Sequence, residues 1–287
     1  MTTSPKVPTI AFANLKGGVG KSTITLQTAY YLSQKIGFAD DKKLLVVDFD
    51  PQGNTSTRML QRTDIEDAGG TRSYQLFNET LDTIKPVLTP CGADLIYATQ
   101  NDTVLDDIEL LSMDVFVNPM EHLTRLAESG KYAAILIDCP PSRSRKLIAA
   151  LACATDIIVP VEVSGFAKDA LTGIMKSIET AEQVNPDVRL TGVIINKFAS
   201  RSHRHVHEKN LLKEALGDLL FEQTLSFRTP LDEANSLAIP IWSMGKGSAR
   251  AAAAEIKAVC EEIIRRTGLK MNKPVPPKKK SVRKAKS

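Results

Sequence analysis

No apolar run in this 287-residue sequence reaches the ~18 residues that a membrane-crossing helix needs. The longest, Leu147 to Ala154, stops at Thr155 and Asp156, so stable membrane insertion is not expected. The first residues lack the basic, apolar and small-residue order of a secretory signal. Cysteines are few and unpatterned: Cys91, Cys139, Cys153 and Cys260 build no disulfide framework, and a reducing cytoplasm is the expected location. Acids are missing from the last stretch, where Lys270 to Ser287 holds eight Lys or Arg and no Asp or Glu. The net charge of +4 therefore conceals a split between a mildly acidic body and a strongly basic tail. That tail carries three prolines and almost nothing apolar, so burial cannot offset its ordering entropy. Residues 270–287 are expected to be disordered, and residues 1–269 to form one domain.

Within that body, short unbroken apolar runs alternate with helical patterns. Thr9 to Ala13, Leu44 to Val47, Ala133 to Ile137, Asp156 to Val161 and Leu190 to Ile195 read as strands buried on both faces. Leu171, Ile174, Met175, Ile178 and Ala181, and later Ile256, Val259, Cys260 and Ile263, follow the spacing of amphipathic helices. The alternation predicts a doubly wound, mostly parallel α/β sheet with helices on both faces, in which ligands bind beyond the carboxyl ends of the strands. Gly69 to Asp94 is hard to read, with a weak helical stretch near Tyr74 to Phe77.

Asn14 to Thr23 joins the first strand to the first helix, where a phosphate cradle must lie. Glycines let consecutive N–H groups turn inward, and the helix N-terminus adds partial positive charge. Lys21 can reach the β and γ phosphates, and Ser22 can ligate Mg²⁺. The strict pattern G-x-x-x-x-G-K-[ST] fails, because Leu15 occupies its first glycine position.

What stands instead, Lys16-Gly17-Gly18-Val19-Gly20-Lys21-Ser22-Thr23, resembles the deviant Walker A motif of the ParA/MinD family of ATPases, with its extra signature lysine at Lys16. Asp48-Phe49-Asp50-Pro51-Gln52-Gly53-Asn54 resembles that family's switch segment, and Ile137-Asp138-Cys139-Pro140-Pro141-Ser142 its Walker B segment. The resemblance covers roughly residues 7 to 266 and implies a P-loop ATPase using ATP and Mg²⁺. It implies that Gly17, Gly18, Val19, Gly20, Lys21, Ser22 and Thr23 hold the nucleotide, with Thr23 on the α-phosphate. Ser22 and Asp138 would serve the metal, Asp48 would support its shell, and Asp50 would orient the attacking water. Lys16 would cross a dimer interface to the other subunit's phosphates, and Asn196, ending a late strand, would meet adenine.

The resemblance also implies an ATP-state homodimer that binds nonspecific DNA at the nucleoid and is stimulated by a ParB-like or other adaptor protein. Its cargo would be a plasmid, a chromosome or a protein assembly. Arg228, in a stretch resembling the family's "I-P-R … L-x-E-A", Lys246 and Arg250 are the DNA-contact candidates, with the tail able to extend the patch. The tail lacks the apolar face of a MinD-like membrane helix, and the cysteines lack the context of an iron–sulfur site. Only eight residues precede the first strand, so an N-terminal helix-turn-helix domain is not expected. The alternative function is a nucleotide-dependent scaffold, or a MinD-like positioning protein, in which hydrolysis is secondary. His203, His205 and His207 invite a metal reading, but Ser202 is placed to cap a helix there, and helical geometry splays alternate histidines apart.

Overall fold

All five apolar runs are strands in the computed structural model, which describes residues 7–163, 167–245 and 247–272. They are β1 (Thr9–Phe12), β2 (Lys43–Asp48), β5 (Tyr132–Asp138), β6 (Asp156–Glu162) and β7 (Arg189–Asn196). Two short strands from the unread region, β3 (Val87–Leu88) and β4 (Asp94–Ile96), complete a seven-stranded sheet of order β3-β4-β2-β5-β1-β6-β7. Only the β3–β4 edge pair is antiparallel. The weak helical stretch is a 3₁₀ turn, Ser73–Phe77.

Alternate residues of each strand enter two separate cores, as a sheet covered on both faces requires. Ala11, Val47, Ile137 and Val159 face one layer, formed by α4 (Asn118–Glu128), α5 (Arg145–Ala152) and α6 (Ala167–Glu182). Ile10, Phe12, Val46, Leu136 and Ile158 face the other, where α1 (Lys21–Tyr30) packs beside α9 (Gly247–Thr267). Past α9 the chain stays attached through Asn272, three residues beyond the expected boundary: Leu269 is buried and the Asn272 N–H donates to the Gly37 carbonyl at 3.1 Å. Residues 273–287, most of the expected tail, lie outside the described residues.

Strand register sets the site. Phe12 pairs with Asp138, and Asp138 with Asp48, so the carboxyl ends of β1, β2 and β5 finish level. At β1 the strand order reverses, with β5 on one side and β6 on the other. This is the switch point at which open α/β sheets bind ligands.

Candidate functional site: a phosphate cradle at the switch point

From the end of β1 the chain curls through Gly18 (φ 75°) and Gly20 (φ 98°) before entering α1. Both values lie in the left-handed region that favours glycine. At Gly20 a Cβ would also collide with the Asn196 side-chain nitrogen. The loop is held from the β7 side. Asn196 Nδ2 donates to the Val19 carbonyl at 2.8 Å, and Lys197 Nζ donates to the Gly18 carbonyl at 2.8 Å. In a trans peptide the N–H points opposite its C=O, so drawing these two carbonyls toward β7 turns the Val19 and Gly20 amides the other way. That is a nest for an anion, reinforced by the start of α1.

A cleft of about 460 Å³ opens over this nest, within the range of small-molecule sites. Gly17, Gly18, Gly20, Lys21, Ser22, Thr23, Asp50 and Pro141 line it, with Arg58 of α2 (Asn54–Leu60) and Asn235 of α8 (Thr229–Ser236) farther along. The two loop lysines differ in setting. Lys21 is buried, 5% exposed, with Nζ 3.4 Å from the Lys16 carbonyl. The Lys16 side chain is 54% exposed and reaches sideways to Glu162 at 3.1 Å. Glu162 also meets Lys197 at 2.7 Å. Burial would raise its carboxyl, but the two lysines outweigh it and hold the group below the usual carboxylate range.

Three aspartates stand opposite. Asp48 is fully buried, and its oxygens accept from the Asp50 N–H (3.1 Å), the Ser56 N–H (2.9 Å) and the Ser56 hydroxyl (2.7 Å). It builds the turn that carries Asp50 into the cleft. Burial raises the Asp50 carboxyl, against the Gln52 N–H bond and the Lys21 charge. Asp138 accepts from the Thr55 hydroxyl at 2.6 Å through Oδ2, while among the described residues its buried Oδ1 has no partner in full hydrogen-bond geometry, the Ser22 hydroxyl standing near enough to favour the charged form. Burial, abetted by Asp50, pushes its carboxyl up to about 6. Asp48 is raised as well, by burial and by Asp138. A carboxylate oxygen short of a full hydrogen bond among crowded acids beside a phosphate nest suits a divalent cation; Ser22 and Asp138 are the residues that fit it.

Asn196 is buried beneath the loop and bonded to it, a brace that strand-end position alone did not reveal. Arg228, at the start of α8, is paired with Glu255 at 2.8 Å, so its charge is already balanced within the chain. Arg250 on α9 is exposed, and Lys246 lies outside the described residues. The histidines open α7 (His203–Leu216), and Ser202 caps it as expected. Among the described residues these histidines gather no further His, Cys, Asp or Glu into a metal-binding group. Cys91, Cys139 and Cys260 are buried, Cys153 partly so. No described helix is long and apolar enough to cross a membrane. Sequence reading missed Asn14, whose side chain ties the Lys16 N–H (2.9 Å) to the Pro160 carbonyl (2.7 Å), as well as Glu162 and Asn235. Asn14 opens the loop segment already singled out, but its bracing role shows only in the fold; Glu162 and Asn235 carry no motif.

A glycine loop closing on a helix start, with a buried lysine and facing aspartates at a sheet's switch point, defines a P-loop nucleotide-binding protein. The AAA domain family matches residues 7–190. The chromosome-partitioning ATPase Soj of Thermus thermophilus is 31% identical over 238 residues, covering 80% of this chain and 86% of Soj. The chromosome partitioning protein ParA of Caulobacter vibrioides is 28% identical over 242 residues, 81% and 85% of the two chains. In fold, an ATP complex of Cyanothece McdA superposes with a TM-score of 0.75 at 21% identity, covering 91% of this chain and 97% of McdA. The chain belongs to the AAA-domain family of ParA/Soj partition ATPases. Its reaction is ATP hydrolysis.

Proposed function

We propose that this chain dimerises on binding ATP and Mg²⁺, binds DNA without sequence preference in that state, and lets go after hydrolysis stimulated by an adaptor protein. Cycles of binding and release at the nucleoid then position a DNA or protein cargo. The observation that carries the reading is the contrast between the two loop lysines: Lys21 is buried in its own cradle, whereas Lys16 stands half-exposed at the rim, paired sideways with Glu162. Opening that single rim pair, which Lys197 can keep satisfied on the Glu162 side, frees the Lys16 cation for phosphates held by a second copy.

In this reading the Val19 and Gly20 amides, Lys21 and Thr23 grip the triphosphate, while Ser22 and Asp138 hold the metal, with Asp48 behind them. The metal, when bound, offsets charge on the transferring phosphoryl group. Asp50 orients water for in-line attack, and neighbouring cations neutralise the developing charge, which is most of what phosphoryl transfer asks of a protein. Asn196 braces the loop from below, and its contact with adenine is carried by the family resemblance alone. DNA contact draws on exposed cations such as Arg250, together with Lys246 and the basic tail; Arg228 joins only where its pair with Glu255 opens.

Sizing with a nonhydrolysable ATP analogue and Mg²⁺ tests this. Wild type should run as a dimer and Lys16→Ala as a monomer that still binds nucleotide. Asp50→Ala should dimerise, stay on DNA and lose about 10² or more in turnover. A wild-type chain that stays monomeric at saturation overturns the reading.

A further inference from the structure

Behind the cleft, two buried amide side chains on facing helices are locked in one orientation. Gln27 of α1 is fully buried, and Asn235 of α8 is 6% exposed. The Ile241 N–H donates to Gln27 Oε1 at 2.9 Å. The opposite end of the same amide, Nε2, meets the Ile239 carbonyl at 3.3 Å, which can only accept. These backbone groups fix which end of Gln27 is which, so Nε2 donates to Asn235 Oδ1 at 3.0 Å. Asn235 is thereby oriented in turn, and its Nδ2 donates to Thr23 Oγ1 at 3.0 Å.

The last link has a polarity. An amide nitrogen offers no lone pair, so Thr23 accepts from Asn235 and must place its own proton elsewhere. Among the described residues no acceptor meets that hydroxyl; Thr25, two residues on, donates instead to the Lys21 carbonyl at 3.0 Å. Thr23 and Asn235 both line the cleft. We propose that Asn235 is a positioning residue: the chain Ile241, Gln27, Asn235, Thr23 sets the Thr23 hydroxyl as a donor aimed into the cleft, poised for a phosphate oxygen of the bound nucleotide. The inference rests on the triphosphate reading of the loop. It gives α8, a segment remote from the loop in sequence, a direct grip on nucleotide affinity.

A double-mutant cycle on the full-length protein tests it, with affinity for a fluorescent ATP analogue and Mg²⁺ as the readout and thermal midpoint without nucleotide as the check on folding. Thr23→Val, which keeps the shape and removes the hydroxyl, and Asn235→Ala should each weaken binding about 5- to 20-fold. The double variant should bind no worse than Thr23→Val alone, because the two act through one hydrogen bond. Thr23→Ser should bind as wild type. Asn235→Asp, nearly isosteric and tolerant of the Gln27 contact, guards against a folding defect in the alanine variant. Its carboxylate draws the hydroxyl proton back, so it should bind at least as weakly as Thr23→Val. Single effects that multiply in the double variant, or Asn235→Asp binding as tightly as wild type, overturn the proposal. Lys21→Ala serves as the control for the underlying reading: if it binds as well as wild type, the triphosphate site itself is wrong and the proposal falls with it.

Discussion

Asp138 shows how one residue can be legible in sequence yet acquire its chemistry only from its neighbours. Its place at the end of an apolar run marks it as a site acid, but its incompletely bonded Oδ1, its neighbours Asp48 and Asp50, and its raised carboxyl are tertiary facts. With the folded carboxyl pushed up to about 6, a proton competes with Mg²⁺ below that pH. Magnesium affinity, measured by titration in the presence of an ATP analogue, should therefore be close to its plateau at pH 7.5. It should fall several-fold by pH 5.5. For the metal-free protein the sign is opposite: protonating Asp138 relieves a buried charge, so its contribution to stability is present at low pH and is lost as pH rises through about 6. Lys16 and Lys21, five residues apart, differ for a comparable reason: one is enclosed by the cradle and the other is not.

Among elements, the central strands and main helices were readable because burial on both faces leaves continuous apolar runs, and one-sided burial leaves a helical period. The edge strands β3 and β4 were not, being two and three residues long and too short to show a pattern. In α7, Leu212 is enclosed, while Val206 and Leu211 are exposed. At the start of β4 lies an ion cluster that no motif announces. Asp94 is buried against Lys43 (3.2 Å), Lys131 (2.5 Å) and the Tyr132 hydroxyl (2.8 Å). Burial pulls its carboxyl up, but these partners outweigh it and hold the group below its ordinary value. A depressed folded carboxyl adds stability above its unfolded pKa and loses it as pH falls through the folded one. Asp94→Asn should consequently lower the thermal midpoint at neutral pH. The gap from wild type should close only once pH drops below the ordinary carboxylate range, a trend that melting curves across acidic buffers would check.

For the whole molecule, charge is partitioned more sharply than any helix face suggests. Cations on the body are partly spoken for, Arg228 by Glu255 and Arg266 by Glu262, whereas the sequence beyond Asn272 is basic without a single acid. If the tail neutralises DNA phosphates, removing it should flatten the dependence of log K on log salt by roughly 0.9 for each phosphate set free. Truncation after Asn272, with DNA affinity of the ATP-bound form measured over a range of salt, gives that number directly; an unchanged slope assigns DNA binding to the body. The same experiment reports whether dimerisation survives, since the cradle lies wholly within residues 7–272.

Sequence alone determined the strand–loop–helix order, the glycines at Gly18 and Gly20 and the lysines and aspartates of the cradle. These follow from local rules of backbone freedom, periodicity and charge, which act over a few residues and leave their mark in order. Tertiary structure decided which of those groups meet: Asn196 under the loop, Glu162 beside Lys16, Asn235 behind Thr23. These partners come from elements separated by well over a hundred residues. A hydrogen bond between two such side chains leaves no periodic trace in either segment, and only folding the sheet brings them within bonding distance of one another.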